Sequence, residues 1–173
     1  MIGAHPARGS GKGVGVALTA LSAALALVLV ETPQVGAPPI LLNTSSSLPR
    51  GIYLRASRPP ELGSVVAVAA PIRAQGYLAT LGAPADALLL KRVAATGGHR
   101  VCSHGRRLTV GPRQVDVLVH DRRGAVLPRW RQCRSLAADE VLLLGDSPTS
   151  FDGRYFGPVR LTDLKGVYRK LRP

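Results

Sequence analysis

The chain has 173 residues, of which 46% are apolar and 19% are charged, so it can build one packed domain with an appendage and is not a disordered chain. Its formal net charge is +13, and 19 of its 23 basic residues are arginine. Such a charge suits anionic lipid, nucleic acid or acidic partners, although a genome biased toward Arg and Ala explains it equally well. Only 4% of the residues are aromatic, and no aromatic-and-basic stripe is present, so a nucleic-acid module is not expected.

The N-terminus carries the pattern of a membrane anchor. Residues 1–12 are short and basic, and residues 13–30 carry no charge. Eighteen uncharged residues are just long enough to span a bilayer, and the basic flank predicts that residues 1–12 are cytoplasmic. We therefore expect a single-pass protein of the inner (cytoplasmic) membrane with its remainder on the periplasmic side. A signal peptide cleaved near Ala24 and a buried soluble helix are the alternatives.

The rest of the chain is predicted to be mainly β. Residues 31–41 are a Pro-rich linker, and residues 42–173 form short apolar runs broken by Gly and Pro, which is typical of a β-rich domain. Strands are predicted at residues 51–56, 64–69, 88–94, 107–110, 115–119, 140–144 and 166–171, and one helix at 72–81. The Arg-rich residues 100–134 are predicted to form an insertion subdomain or long hairpins within this domain.

Two cysteines, Cys102 and Cys133, flank the insertion. They lack CxxC spacing and have no zinc-finger His pair nearby, so a metal site is not expected. In an oxidising compartment they can pair and close a loop of about 30 residues, which is worth on the order of 3 kcal/mol in the chain-entropy model. Two unrelated buried thiols are the alternative.

One lysine stands out from the arginine-rich background. Lys91 is the only lysine between residues 13 and 164, and it lies within the apolar run 88–93. Lysine, unlike arginine, can lose its proton when it is desolvated, and the neutral amine can then act as a general base. A serine-rich loop upstream, closed by Pro49 and Gly51, offers hydroxyl nucleophiles. Taken singly, an ordinary turn and a snorkelling lysine explain these two features.

Three separated segments together resemble the type I signal peptidase superfamily, in particular the TraF-type peptidases of conjugative transfer systems. The first is residues 43–53 (NTSSSLPRGIY), similar to the family's nucleophile box with Leu48 in place of Met. The resemblance implies that Ser47 is the nucleophile and that the Ser45 hydroxyl helps to bind the oxyanion. Ser46 is the rival nucleophile if the box is aligned on its proline.

The other two segments supply the remaining site residues. Residues 89–93 (LLKRV) resemble the lysine box, which implies that Lys91 is the general base, although residues 97–99 (GGH) replace the family's Pro-Gly-Asp. Residues 145–159 resemble the C-terminal box. There Ser150 matches the serine that orients the lysine, and the pair Asp152 and Arg154 matches the ion pair that stiffens the site.

Two other catalytic patterns are weaker. The Gly-Asp-Ser run at residues 145–147 is similar to the nucleophile motif of GDSL-type esterases, but no His follows it as that family requires. A Ser-His-Asp triad built on His99, His104 or His120 has no supporting spacing.

The resemblance implies a membrane-anchored serine endopeptidase with a Ser-Lys dyad and a signal-peptidase-like catalytic domain, without metal or cofactor. Its expected partners are the lipid bilayer, an exported protein or pilin substrate with small side chains before the cut, and other conjugative transfer components. The favoured role is maturation, by hydrolysis or cyclisation, of a conjugative pilin in type IV secretion. A general type I signal peptidase, an inactive structural component of a transfer apparatus and a basic DNA-contacting transfer protein are the alternatives.

Overall fold

A computed structural model of the chain describes residues 37–172, in which eleven β-strands form two sheets. The first four strands are β1 (Ile40–Asn43), β2 (Gly51–Ala56), β3 (Val65–Ala69) and β4 (Leu88–Ala95). The next four are β5 (Arg100–His104), β6 (Arg107–Val110), β7 (Arg113–Asp116) and β8 (Cys133–Ser135). The last three are β9 (Glu140–Leu144), β10 (Val159–Arg160) and β11 (Leu164–Lys170). Helix α1 (Ile72–Thr80), helix α2 (Gly153–Phe156) and a 3-10 turn (Leu161–Asp163) complete the domain.

The larger sheet has seven strands in the order β1-β2-β11-β3-β4-β9-β10, and every pairing is antiparallel. The last strand, β11, lies between β2 and β3, so the C-terminal segment is built into the middle of the sheet. Strands β3, β4 and β9 consist mostly of Val, Leu and Ala, as expected for inner strands of a covered sheet. Lys91 lies on β4 at a buried position of this sheet.

The smaller sheet, in the order β7-β6-β5-β8, occupies the segment in which the sequence predicts an insertion. Cys102 on β5 lies directly opposite Cys133 on β8, and the two form a disulfide in the structure. Neither β5 nor β8 is among the predicted strands. Their exposed faces are polar, so each lacks the apolar run by which a strand is recognised.

At two places the strands differ clearly from those expected. Strand β1 includes Ile40 and Leu41, which the sequence assigns to the linker 31–41, because Leu41 packs against the buried Leu48 and Tyr53. The strand predicted at residues 115–119 ends at Asp116, since Val117 instead packs into the core beneath the small sheet. The predicted anchor at residues 13–30 lies outside the described residues. Within residues 37–172, no helix is both long and apolar enough to cross a membrane.

Candidate active site

The serine loop, residues 44–50, connects β1 to β2 and is organised by the buried side chain of Asn43. The Asn43 amide nitrogen donates to the carbonyl oxygens of Ser45 (3.2 Å), Leu48 (3.0 Å) and Pro49 (3.3 Å). Its amide oxygen accepts hydrogen bonds from the backbone N–H of Ser45 at 3.2 Å and from the Ser45 hydroxyl at 2.8 Å. One side chain therefore folds the loop back on itself, as asparagine often does in turns.

Two further contacts fix the loop against the sheet. The Tyr53 hydroxyl donates to the carbonyl of Pro49 at 2.8 Å, and the Leu48 side chain is only 2% exposed. The backbone N–H of Asp146, which follows β9, donates to the carbonyl of Ser47 at 2.6 Å. Hydrogen bonds from Tyr53 and Asp146 therefore fix the loop on both sides of Leu48, and Ser47 remains partly exposed.

Ser47 and Lys91 line the same cleft, which has a volume of about 330 Å³ and is called the first cleft below. Ser45 also lines it. Most of the other walls are apolar, from β1, α1, β4 and the loop after β9: Leu41, Leu42, Leu78, Leu81, Leu88, Leu89, Leu90 and Phe151. Ser46, the rival nucleophile, lines a different cleft in which Lys91 has no part.

Lys91 is 4% exposed and projects from the centre of the large sheet. Among residues 37–172, no carboxylate lies within ion-pair distance of its amine. Burial lowers the pKa of Lys91 from 10.5 to about 8, although Asp152 acts in the opposite direction. A substantial fraction of the amine is therefore neutral near pH 8, as a general base requires.

The loop after β9, residues 145–152, approaches both residues and is called the β9 loop. Arg92 pairs with Leu144, so continuing the antiparallel register by one residue brings Lys91 opposite Gly145. A Cβ atom on Gly145 would overlap Ser150 and would lie 2.9 Å from the carbonyl oxygen of Ser47. Only glycine allows the serine loop and the β9 loop to approach this closely.

Ser150 is 3% exposed, and its hydroxyl is the one buried side-chain polar atom within residues 37–172 that has no hydrogen-bond partner. Burying a hydroxyl without a partner costs free energy, and such exceptions often mark functional sites. The Ser150 hydroxyl does not bond to Lys91 in this conformation, although the resemblance predicts that it orients that amine. It nevertheless lies against Gly145, the residue that the register brings opposite Lys91.

Asp152 and Arg154 form a buried ion pair at 2.7 Å, with side chains 0% and 3% exposed. The Asp152 carboxylate also accepts from the backbone N–H of Gly145 at 2.7 Å. The guanidinium donates to the carbonyl oxygens of Ser147 and Pro148, each at 2.8 Å. Both charged groups therefore have hydrogen-bond partners in the β9 loop, and neither is left as an unpaired buried charge.

A second ion pair, not assigned a role from the sequence, ties β4 to the same loop. Arg92 binds the Asp146 carboxylate through two nitrogens, each at 2.9 Å, and also donates to the carbonyl of Gly63 at 3.0 Å. Hydrogen bonding from Arg92 lowers the pKa of Asp146. Because Asp146 also bonds to Ser47, the pair connects the neighbour of Lys91 to the serine loop. In the sequence this ion pair is indicated only by the positions of its members: Arg92 follows Lys91 in the lysine box, and Asp146 follows Gly145 in the C-terminal box.

The weaker catalytic patterns find no support in the geometry. His99, His104 and His120 are exposed, and no histidine lines the first cleft. In the described part of the chain, one group of side chains has metal-ligating spacing, namely Cys102, His104 and Cys133. Its two sulfurs are already joined in the disulfide, so they do not offer thiolates to a metal.

Comparison with known proteins identifies the family. The signal peptidase family, peptidase S26, matches residues 14–170, and the chain belongs to it. A plasmid transfer protein TraF of Escherichia coli is 36% identical over 141 residues, covering 74% of this chain and 80% of the relative. A second TraF of Escherichia coli is 33% identical over 141 residues, covering 74% and 79%. These matches confirm the resemblance that the three segments carry.

The chain is also similar to solved structures. One of them is the crystal structure of a signal peptidase I from Enterococcus faecalis, with a TM-score of 0.39 and 18% identity, and the match covers 65% of this chain and 98% of that one.

Proposed function

We propose that the protein is a membrane-anchored serine endopeptidase that processes exported proteins on the periplasmic side and matures a conjugative pilin. The observation that carries the proposal is that Ser47 lines one cleft with a buried Lys91 whose pKa is lowered to about 8. A desolvated amine beside a serine is one way to activate a hydroxyl nucleophile. The similarity to plasmid transfer proteins supports the link to conjugation.

The chemistry is acyl transfer in two steps. Neutral Lys91 removes the proton of the Ser47 hydroxyl while its oxygen attacks the scissile carbonyl, and the protonated amine then delivers that proton to the leaving amine. Water, or the amine of another residue, attacks the resulting ester and releases Ser47. Hydrolysis and cyclisation differ only in this second nucleophile.

The oxyanion of the first step needs donors near Ser47. The Ser47 backbone N–H and the Ser45 hydroxyl are the proposed donors. In the structure the Ser45 hydroxyl donates to Asn43 instead, so it must give up this hydrogen bond to donate to an oxyanion. Asn43 then holds the loop through its remaining bonds to Leu48 and Pro49.

The first cleft suits an extended peptide with small apolar side chains before the cut. Strand β1 pairs only with β2 in the described sheet, so its other edge has unpaired backbone groups. A substrate strand can add to such an edge through main-chain hydrogen bonds. The leucine-rich walls then leave room for small side chains and offer no partner for charged ones.

The dyad is tested by removing each member alone and both together. Ser47→Ala and Lys91→Ala should each abolish processing, and the double variant should be no worse than either, because the two groups act as a unit. Ser46→Ala is the matched control, since it removes a hydroxyl from the neighbouring position, and it should retain activity. Mass spectrometry of the candidate pilin, produced with each variant, measures the outcome.

Full processing by Ser47→Ala would remove the nucleophile assignment, and a dead Ser46→Ala with an active Ser47→Ala would move it by one residue. An exported protein other than the pilin that accumulates unprocessed would instead indicate a general signal peptidase.

A further inference from the structure

A second cleft, with a volume of about 270 Å³, begins on the other side of the serine loop. Ser46 lines it, whereas the adjacent Ser47 lines the first cleft. Leu81 and Phe151 line both. The two clefts therefore meet where the serine loop crosses them, and a peptide chain bound at Ser47 can extend into both.

The floor of the second cleft is aromatic. The ring of Phe151 lies between those of Tyr77 and Tyr155, with centroids 4.5 Å and 5.4 Å away. Leu118 and Leu127 of the insertion complete the apolar lining. Such a surface accommodates an apolar side chain and positions the backbone that carries it.

The insertion is fastened to helix α1 at this cleft. The Tyr77 hydroxyl donates to the Asp121 carboxylate at 2.9 Å. Burial and this hydrogen bond raise the pKa of Tyr77 to about 12, so the hydroxyl stays protonated and keeps donating. Asp121 also accepts from the backbone N–H groups of Arg123 (2.8 Å) and Ala125 (2.9 Å). Among residues 37–172, Asp121 is the only acidic side chain that lines the second cleft, and it is therefore already engaged.

Two arginines also line this cleft and are exposed. Arg122 forms no ion pair within the described residues, and the Arg123 side chain is 63% exposed and pairs only at 3.9 Å with the Asp121 carboxylate. A cleft lined by two exposed guanidinium groups and one occupied carboxylate attracts an anionic group, because guanidinium binds carboxylates with favourable geometry.

We propose that the second cleft binds the part of the substrate that follows the scissile bond and selects an acidic side chain there through Arg122 and Arg123. The inference rests on the proposed function, in which the first cleft takes the residues before the cut. The substrate residues that follow the cut then pass Ser46. One of them places an apolar side chain against Phe151, and another directs an acidic side chain to Arg122 and Arg123.

The test uses the purified full-length protein and three synthetic peptides. All carry alanines before the cut, and the first two positions after it hold two Asp, two Ser or two Lys residues. Each rate is normalised to hydrolysis of N-acetyl-trialanine p-nitrophenyl ester, which has no residue after the cut. We expect the order Asp, then Ser, then Lys, with roughly a two- to fivefold step for each exposed ion pair.

Charge reversal supplies the decisive comparison. The double variant Arg122→Glu with Arg123→Glu should prefer the Lys peptide over the Asp peptide. The matched control is Arg106→Glu with Arg107→Glu, which makes the same change in charge on exposed insertion residues that line neither cleft, and it should keep the preference for Asp.

The remaining outcomes distinguish failure of the subsite proposal from failure of the proposed peptidase function. Three results would overturn the subsite alone, provided that the ester is still hydrolysed. They are equal cleavage of the three peptides, no cleavage of any peptide, and a preference that charge reversal leaves unchanged. If the control variant also lost the preference for Asp, the preference would depend on the overall charge of the protein and not on Arg122 and Arg123. That result would also overturn the subsite. Wild-type protein that hydrolyses neither ester nor peptide would overturn the proposed function itself.

Discussion

At the scale of single residues, two buried polar groups lack the partners that such groups usually have. The amine of Lys91 has no carboxylate within ion-pair distance, and the hydroxyl of Ser150 has no hydrogen-bond partner in the described residues. Both lie close to Gly145. The strand register brings Lys91 opposite Gly145, and the Ser150 side chain packs directly against it. Buried polar groups without partners are candidates for a functional role, which the proposed function gives to both.

Activity should depend on pH through Lys91. The pKa of this amine is lowered to about 8, and only its neutral form accepts a proton, so kcat/KM should rise with pH and reach half of its plateau near pH 8. A pH profile of ester hydrolysis by the purified protein measures this directly. An activity maximum in acid would contradict a lysine base, and Lys91→Arg, which keeps the charge but cannot deprotonate, should be inactive at every pH.

Ser150→Ala separates a role in catalysis from a role in folding. Removing a hydroxyl that has no partner relieves a desolvation cost, so the melting temperature should stay the same or rise slightly. If that hydroxyl bonds to Lys91 when substrate binds, kcat should nevertheless fall by about tenfold or more, the loss typical of a hydrogen bond to a catalytic group. Calorimetry and steady-state kinetics on the same preparation provide both values. Unchanged kinetics would remove Ser150 from the site.

At the scale of elements, the site depends on how the β9 loop meets the serine loop. Asp146 reaches the Ser47 carbonyl, Arg92 holds Asp146, and Arg154 holds the carbonyl of Ser147. Two loops far apart in sequence are thereby fixed relative to β4, which carries the lysine. The proposed nucleophile and base would require fixed geometry of this kind.

Gly145→Ala should disrupt that junction. The added methyl group would overlap Ser150 and press against the Ser47 carbonyl, so we expect a loss of about 1–3 kcal/mol in stability, as for overpacked sites, and a larger proportional loss of activity. Gly76→Ala is the matched control, because Gly76 lies in helix α1 with open space around its Cα. That change should be neutral or stabilising by up to about 1 kcal/mol. Denaturant unfolding and ester hydrolysis measure both effects, and an active, stable Gly145→Ala would show that the two loops can separate freely.

At the scale of the whole molecule, the disulfide and the insertion form one unit. Cys102 and Cys133 are 31 residues apart in sequence, and the segment between them contains the loop that lines the second cleft. Neither cysteine lines the first cleft. The covalent link therefore stabilises the insertion without touching the proposed reacting groups.

Replacing both cysteines by serine should lower stability on the order of 3 kcal/mol, the value expected from the chain-entropy model for a loop of this length. Ester hydrolysis should remain detectable, since the first cleft does not include these residues. Thermal melts of the variant and of wild-type protein with and without reductant provide the comparison. Equal melting temperatures would show that the link adds nothing, and two free thiols in protein purified without reductant from its native host would rule it out.

Sequence patterns predicted the large-sheet elements better than the small-sheet ones. The bounds of β2 and β9 match those predicted, because each is a short, mostly apolar segment with polar or turn-forming residues on either side. Strand β5 was missed, since its polar residues become a strand only by pairing with β6 and β8. Propensity carries no information about such a partner.

The same limit applies to the site. Ser47 and Lys91 were named from local motifs, and the structure brings both to one cleft. The missing partner of Ser150 was not foreseeable, because it depends on the packing of the β9 loop. The second cleft was not foreseeable either, since it requires contact between Tyr77 and Asp121, which are 44 positions apart.

The burial of Lys91 also bears on whether this chain is an enzyme or an inert scaffold. An unfolded lysine keeps its proton up to pH 10.5, whereas the folded one holds it only to about 8, so the amine opposes folding fully below pH 8 and ceases to do so as pH rises to 10.5. A difference of this size corresponds to on the order of 3 kcal/mol. Leucine or methionine at this position would remove that burden, and stabilising replacements are readily found where no activity restrains them. A scaffold without catalytic duty would gain from losing this amine, so its presence supports the proposed enzyme over an inert scaffold.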